Sequence, residues 1–308
     1  MAQRPFRFAV QLRTAGSRGE WVASARRAEA LGYDVVSVPD HVGPQLSPFA
    51  AQLAVAGATE RIGVGTFVLD NDFRHPLLTA HEAATVQLLS EGRLELGLGA
   101  GWLVRDYERL GIEFAPARTR VERLEEAVEI VLRYFEGATF SFSGRHYSVS
   151  ETEPLRLPSH IDRPRLVIGG GGPRVLALAA ARADVASVFL RVKAEGSTFE
   201  EPSSESYRAK IEHLRHQAGE RAGDVEVNVL LQHLEVTDDR AGAMERGARE
   251  LETTPEEFLA LPFGLAGSVD EIVADLERRR EEYGISYVTV FGEHLETFAP
   301  IVQALAGR

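Results

Sequence analysis

Two rhythms alternate along this chain: short runs of β-branched and other apolar residues, and longer stretches in which apolar side chains return every three or four positions. The first rhythm predicts strands and the second predicts helices that bury one face. Residues 6–12 read as a strand; Trp21, Val22, Ala25, Ala28 and Leu31 then recur at helical spacing until Gly32 closes the helix. The unit repeats. Strands at 35–38, 62–69 and 94–98 precede helices at 48–58, 76–89 and 118–135, the last with Val121, Leu124, Val128, Val131 and Phe135 on one face. Further strands at 166–168, 185–190, 225–236 and 287–291 follow, with helices after residue 172, at 207–218 and at 295–305. Thr254 with Glu257, and Ser268 with Glu271, have the capping-box form and predict two more helix starts.

Eight strands alternating with helices in 308 residues predict an α/β fold of the (β/α)8 TIM-barrel type, a single domain spanning residues 1–308. The rhythm breaks only at about 137–164, where β-like pieces at 139–142 and 146–149 precede three prolines. That segment predicts an insertion between helix 4 and strand 5, long enough to cover an active-site mouth. An open doubly wound sheet would instead carry a glycine-rich dinucleotide fingerprint. Counting from Gly99, the sixth position is Val104, and from Gly170 it is Val175, so neither glycine cluster supplies it.

Composition removes several classes of function. Without cysteine there is no disulfide, thiolate nucleophile or cysteine metal site. A net charge of −12 argues against a nucleic-acid or anionic-membrane partner, since phosphate binding needs a basic face. The polar start MAQRPFRFAVQL and the lack of a long apolar run point to a cytoplasmic protein acting on a small-molecule substrate, with a homodimer as a candidate assembly.

The stretch RLVIGGGGPRVLAL (165–178) places four glycines between an apolar strand and an apolar helix. An ordinary strand-to-helix turn needs one or two. Glycine lets backbone N–H groups approach a ligand, Pro173 suits a first helical turn, and Arg174 adds charge at a helix N-terminus, so the loop reads as a phosphate cradle. In a barrel of this kind the loops after the strands build the active site. That rule selects Asp40 and His41, the 68–75 segment, the 99–107 segment, the glycine loop, and Arg191 with Lys193. Taken alone, Asp40 and His41 fit a turn cap beside a solvated histidine as well as a functional pair, Trp102 fits packing, and Arg191 and Lys193 fit a solvated loop. His213 and His216 lack a third ligand and read as a solvated helix face, so no metal site is expected. No nucleophile-elbow sequence is present.

Five motifs in order, SVPDHVG (37–43), GTFVLDNDFRHP (65–76), RLELGLGAGW (93–102) with Tyr107, GRHY (144–147) and IGGGGPR (168–174), resemble the bacterial-luciferase-like superfamily, specifically its deazaflavin (coenzyme F420)-dependent oxidoreductases. The resemblance runs nearly the whole length. It implies a TIM barrel holding a flavin-like ring at its C-terminal mouth, with hydride transfer to or from a small organic substrate. It further implies Asp40 and His41 beside the reactive ring, His41 handling a proton and Asp40 fixing its tautomer. The peptide around Phe67 and Val68, often non-prolyl cis, would support the back of the ring, with Asn71 in the same loop. Gly99, Ala100, Gly101, Trp102 and Tyr107 would line the ring and ribityl chain. Gly170, Gly171, Gly172, Pro173 and Arg174 would hold the phosphate, and Arg191 and Lys193 the anionic tail. FMN is the alternative cofactor, since FMN-dependent monooxygenases share GAGW; a non-catalytic flavin-binding barrel is the alternative of another class. Sugar-phosphate dehydrogenases of the superfamily carry glutamate where this chain has Trp102, which argues against a sugar-phosphate substrate.

Overall fold

The computed structural model describes residues 4–190 and 202–308. Eight parallel strands form its centre: β1 (Arg7–Gln11), β2 (Val35–Val38), β3 (Gly63–Thr66), β4 (Leu94–Gly99), β5 (Arg165–Gly170), β6 (Val185–Val188), β7 (Glu226–Leu230) and β8 (Ile285–Phe291). Each pairs with its neighbours in chain order; β1 pairs β8 through Ala9 and Thr289, and β3 pairs β4 through Val64 and Leu94, so the ring closes. After a break, a two-residue piece, Leu69–Asp70, continues alongside β4.

Strand side chains alternate between two faces, and both faces are apolar for different reasons. Phe8 and Val10, Leu94 and Leu96, and Val288 and Val290 join the large core shared with the helices. Ala9, Val35, Val167, Val185, Leu230 and Tyr287 form a second cluster inside the ring. Below that cluster lies a buried charge network. Arg7 contacts Glu95 and lies 2.9 Å from Glu226, Arg165 lies 2.7 Å from Glu226, and the Tyr287 hydroxyl donates to Glu95 at 2.8 Å. Because β1 and β4 are not neighbours, these contacts cross the interior and close the N-terminal end. The other end is free for a mouth.

Helices fit their sequence signals. Ser17 accepts from the amide of Glu20 to open Arg18–Leu31, and Gly32 ends it at φ 89°, a left-handed conformation suited to glycine. At Ser268 both arms of the capping box form. Thr254 caps the Glu257 amide, but the Glu257 carboxylate accepts from the amide of Ser204 instead of completing a box.

Three elements depart from expectation. The strand expected at 225–236 splits: β7 ends at Leu230, and His233–Val236 pairs with Gly264–Gly267 in a separate two-stranded sheet. Apolar continuity across the join hides the change of partner. A helix at Arg240–Glu250 buries only Ala243, Gly247 and Ala248, a face too small for apolar periodicity to reveal. A short helix, Val104–Leu110, follows the GAGW loop. The segment after Phe135 contains an antiparallel hairpin, Phe140–Ser143 with Ser148–Thr152. Glu126, on the helix Ala117–Phe135, accepts the amides of Arg145, His146 and Tyr147 at 2.7 to 3.0 Å and holds the hairpin tip near the mouth. Among the described residues no helix is long and apolar enough to cross a membrane.

Candidate active site

The chain leaves β3 through Phe67 and Val68, whose peptide bond is cis. The Phe67 amide donates to Val38 O at 3.0 Å, and its carbonyl accepts from Gln11 Nε2 at 2.9 Å. This bulge explains much of the glycine content around it. A Cβ added at Gly97, Gly99 or Gly169 would lie 3.0, 2.8 or 3.1 Å from a Val68 methyl. Gly99 and Gly169 therefore make room for Val68 above the barrel floor, while Gly97 is held small chiefly by the Thr66 carbonyl oxygen, 2.1 Å from where its Cβ would sit.

The rest of the glycine run divides between packing and open space. A Cβ at Gly170 would lie 2.7 Å from Val175, and one at Gly171 only 1.8 Å from the Phe189 carbonyl oxygen; at Gly172 it would meet nothing within 4 Å. Gly172 caps the helix Pro173–Arg182, and Pro173 has no N–H, so the first-turn amides of Arg174 and Val175 face outward without intrahelical acceptors. The Lys210 ammonium donates to Gly171 O at 2.6 Å, and His213 Nε2 lies 3.1 Å from Pro173 O. His213 stays on a solvated helix face and also reaches the loop beside Lys210, three residues earlier on that face. Arg174 is already ion-paired, with Glu125 Oε2 at 2.6 Å, so its charge is shared with the neighbouring helix. Arg191 and Lys193 lie outside the described residues.

On the other side of the mouth the expected Asp40–His41 pairing is absent. Asp40 is buried and salt-bridged to Arg74, with Nη2 to Oδ1 at 2.9 Å, and its Oδ2 accepts from the Asp70 amide at 3.2 Å. His41 Nδ1 instead meets Asp106 Oδ2 at 2.7 Å, and the imidazole packs edge-on against Trp102, centroids 5.7 Å apart. Asp106 is 1% exposed and thus a fixed partner. The reason is topological: the short helix after β4 lowers Asp106 onto the end of β2. Arg74, by contrast, reaches Asp40 from the loop after β3. Burial would lower the Arg74 pKa, but Asp40 outweighs it and the net shift is upward.

Between these pairs sits a third acidic group. The Tyr107 hydroxyl donates to Asp70 Oδ1 at 3.0 Å and approaches Asp72 Oδ2 at 3.4 Å, where Arg123 Nη1 also binds at 2.9 Å. Burial pushes the Asp70 carboxyl up to about 7; the charges of Asp72 and Asp40 add to the rise, and hydrogen bonds from the Asp72 amide and Tyr107 oppose it. Burial also raises the Tyr107 hydroxyl, aided by Asp70 and Asp72. Gly101, at φ 74°, lies directly against this pair: a Cβ there would sit 2.1 Å from Tyr107 Oη. Arg120 holds the Ala100 carbonyl at 3.1 Å, and Asn71 donates to the Tyr147 hydroxyl at 3.0 Å, tying the hairpin to the mouth.

His41, Trp102, the bulge and the Ala100–Gly101 loop thus converge at the C-terminal end of the barrel. Gln11, Arg74, Asp70, Asp106, Lys210 and His213 complete the arrangement; Asp70, Arg74 and Asp106 fall inside the segments 68–75 and 99–107 that strand-end position selects, and His213 was weighed only as a metal ligand, but pattern gave none of the six a role here. Lys210 had a signal, being one of two lysines in the chain. The fit to a flavin-like group rests on the space left above Gly172, the outward amides at 174 and 175, and a glycine-lined floor beside the bulge.

The sequence profile of a family described as luciferase-like monooxygenase matches residues 4–288. An F420-dependent glucose-6-phosphate dehydrogenase of Microbacterium testaceum is 34% identical over 160 residues, 49% of this chain and 47% of that protein. Another, of Kribbella flavida, is 30% identical over 285 residues, covering 87% of this chain and 78% of its own. This chain spans about half the length of the first relative and of several others. Among solved structures, the coenzyme F420-dependent tetrahydromethanopterin reductase of Methanopyrus kandleri superposes with a TM-score of 0.75 at 16% identity, covering 98% of this chain and 99% of the other. An F420-dependent secondary alcohol dehydrogenase superposes at 0.76 with 19% identity, covering 98% and 99%. At these identities the structures establish the shared barrel.

Proposed function

Since the chain belongs to the luciferase-like monooxygenase family, we propose that it is a coenzyme F420-dependent oxidoreductase acting on a small organic substrate in the cytoplasm. The observation that carries this reading is the mouth itself: open space above Gly172 at a helix N-terminus on one side, and a carboxylate-held imidazole beside the Phe67–Val68 bulge on the other. The F420-dependent relatives support the choice of cofactor over FMN.

Such a group would be held by the amides of Arg174 and Val175 at its phosphate, with Lys210 contributing charge, and by Gly99, Ala100, Gly101 and Trp102 along its ring and chain. When bound, a deazaflavin supplies hydride transfer at its central ring carbon, and the protein supplies orientation and electrostatics. His41 Nε2 is the imidazole nitrogen left for a substrate oxygen, because Nδ1 is engaged by Asp106. There it would hold or deliver a proton as the oxygen gains or loses charge. Asp106 fixes the ring, and Arg74 neutralises Asp40 beneath it. Trp102, 43% exposed, packs edge-on against the imidazole and limits how the ring can turn.

Titrating coenzyme F420 and FMN separately into the purified protein tests the proposal. F420 is expected to bind and, once reduced, to be reoxidised in a single turnover by an organic carbonyl compound. Tight FMN binding without measurable F420 affinity would overturn the assignment.

A further inference from the structure

We infer that Arg13 is the substrate's anion-binding residue and that the substrate is an apolar carboxylic acid. Arg13 lies two residues beyond β1 and is exposed. Its Nε and Nη2 both approach Gln11 Oε1 at 3.3 Å, and its guanidinium carbon stands 4.6 Å above the Phe291 ring. Gln11 is buried with its amide nitrogen on the Phe67 carbonyl, and Phe291 packs against the cluster inside the ring. Two supports anchored in the barrel interior therefore hold the guanidinium over the mouth, one side chain away from the bulge. The backbone is fixed as well, since Arg13 O accepts from the Leu46 amide at 2.9 Å.

The charge state of Arg13 sets it apart. Arg74 and Arg123 reach the same mouth already paired with Asp40 and Asp72, Arg109 with Asp106, and Arg120 is spent on backbone carbonyls. Among the described residues Arg13 has a neutral amide and an aromatic face as its partners, with no carboxylate against it and most of its five donors unused. A planar fork of donors stacked on a ring suits bidentate recognition of a carboxylate. Beside it the floor is apolar, with Phe67 and Phe189 rings 6.4 Å apart. An acid head at Arg13 would lay an apolar body over that floor toward His41. This substrate class rests on the oxidoreductase reading above, but the binding it requires does not depend on turnover.

Calorimetric titration of benzoate and of uncharged benzamide, each with and without saturating coenzyme F420, provides the test. Wild-type protein should prefer benzoate by roughly tenfold or more, the scale of a charge-assisted pair. Arg13→Gln should abolish the preference and Arg13→Lys retain part of it, with F420 affinity unchanged in both. Equal binding of the two probes, binding of neither, or a preference that survives in Arg13→Gln would overturn the inference. Loss of F420 binding in the wild type would instead count against the cofactor assignment.

Discussion

Gly171 and Gly172 are adjacent, yet a Cβ at the first would meet backbone and at the second nothing, so under the proposed function replacing each by alanine separates packing from ligand binding. At Gly171 the new Cβ would sit 1.8 Å from the Phe189 carbonyl oxygen, against a 3.0 Å limit for real contacts, so one backbone must retreat by about 1.2 Å. Overpacking of this kind costs about 1–3 kcal/mol. For a chain of this size that lowers Tm by roughly 1–5 °C. At Gly172, φ −78° and ψ 148° suit any residue and the Cβ meets nothing. The entropy gained from a stiffer unfolded chain and the loss of a preferred cap residue nearly cancel, leaving a change within about 1 kcal/mol. The added methyl instead enters the space above the helix amides. Affinity for F420 should fall by about tenfold or more, equivalent to ~1.4 kcal/mol, while a phosphate-free cofactor binds as before. Thermal denaturation and fluorescence titration of both variants read the two effects. If Gly172→Ala binds intact F420 as well as wild type, or weakens the phosphate-free form equally, the phosphate is not held there.

Three other outcomes are expected. Replacing Asp106 by asparagine should lower the single-turnover rate by roughly tenfold to a hundredfold while cofactor affinity holds; a matching loss of affinity would show that Asp106 holds the mouth and not the imidazole. Asp70 titrates higher in the fold, at about 7, than its ordinary 3.8, so the folded state binds more protons between those values and stability must fall as pH rises through that window. Urea denaturation at pH 5 and pH 8 should show Asp70→Asn flattening this dependence, and an unchanged slope would refute the assignment. Glu95→Ala should destabilise by about 1–3 kcal/mol, because the buried Tyr287 hydroxyl loses its acceptor while Glu226 still pairs with Arg7 and Arg165; a loss under about 0.5 kcal/mol would mean that water replaces the carboxylate.

The barrel was legible because its strands are short buried runs dominated by β-branched and other apolar residues, such as Val35–Val38, set between helices with Gly32-type stops. What escaped was whatever depended on a partner distant in sequence. Asp40 and His41 are neighbours in the chain, so pattern joined them, yet His41's carboxylate comes from 65 residues away. Arg174 looked free because Glu125 belongs to another helix, and nothing local shows Val68 leaning over Gly99 and Gly169, so the packing demand on those two glycines was hidden. The helix Arg240–Glu250 was silent because Gly247 must stay small: a Cβ there would lie 2.3 Å from Phe258.

The cross-links among the loops after β2, β3 and β4 also bear on how this mouth could be altered by transplantation. Asp40 is clasped by Arg74, His41 by Asp106, and Asp70 by Tyr107, so each of the three loops holds a charged or polar group whose counterpart sits on another. Exchanging any one of them with a homologous barrel would strand an uncompensated group at the edge of the site, and the graft would inherit that defect whatever its own sequence offered. The three behave as one heritable cassette. The glycine loop after β5 has partners of its own in Lys210, His213 and Glu125, yet its root is tied to the same cassette, because Gly169 leaves the room that Val68 of the loop after β3 fills.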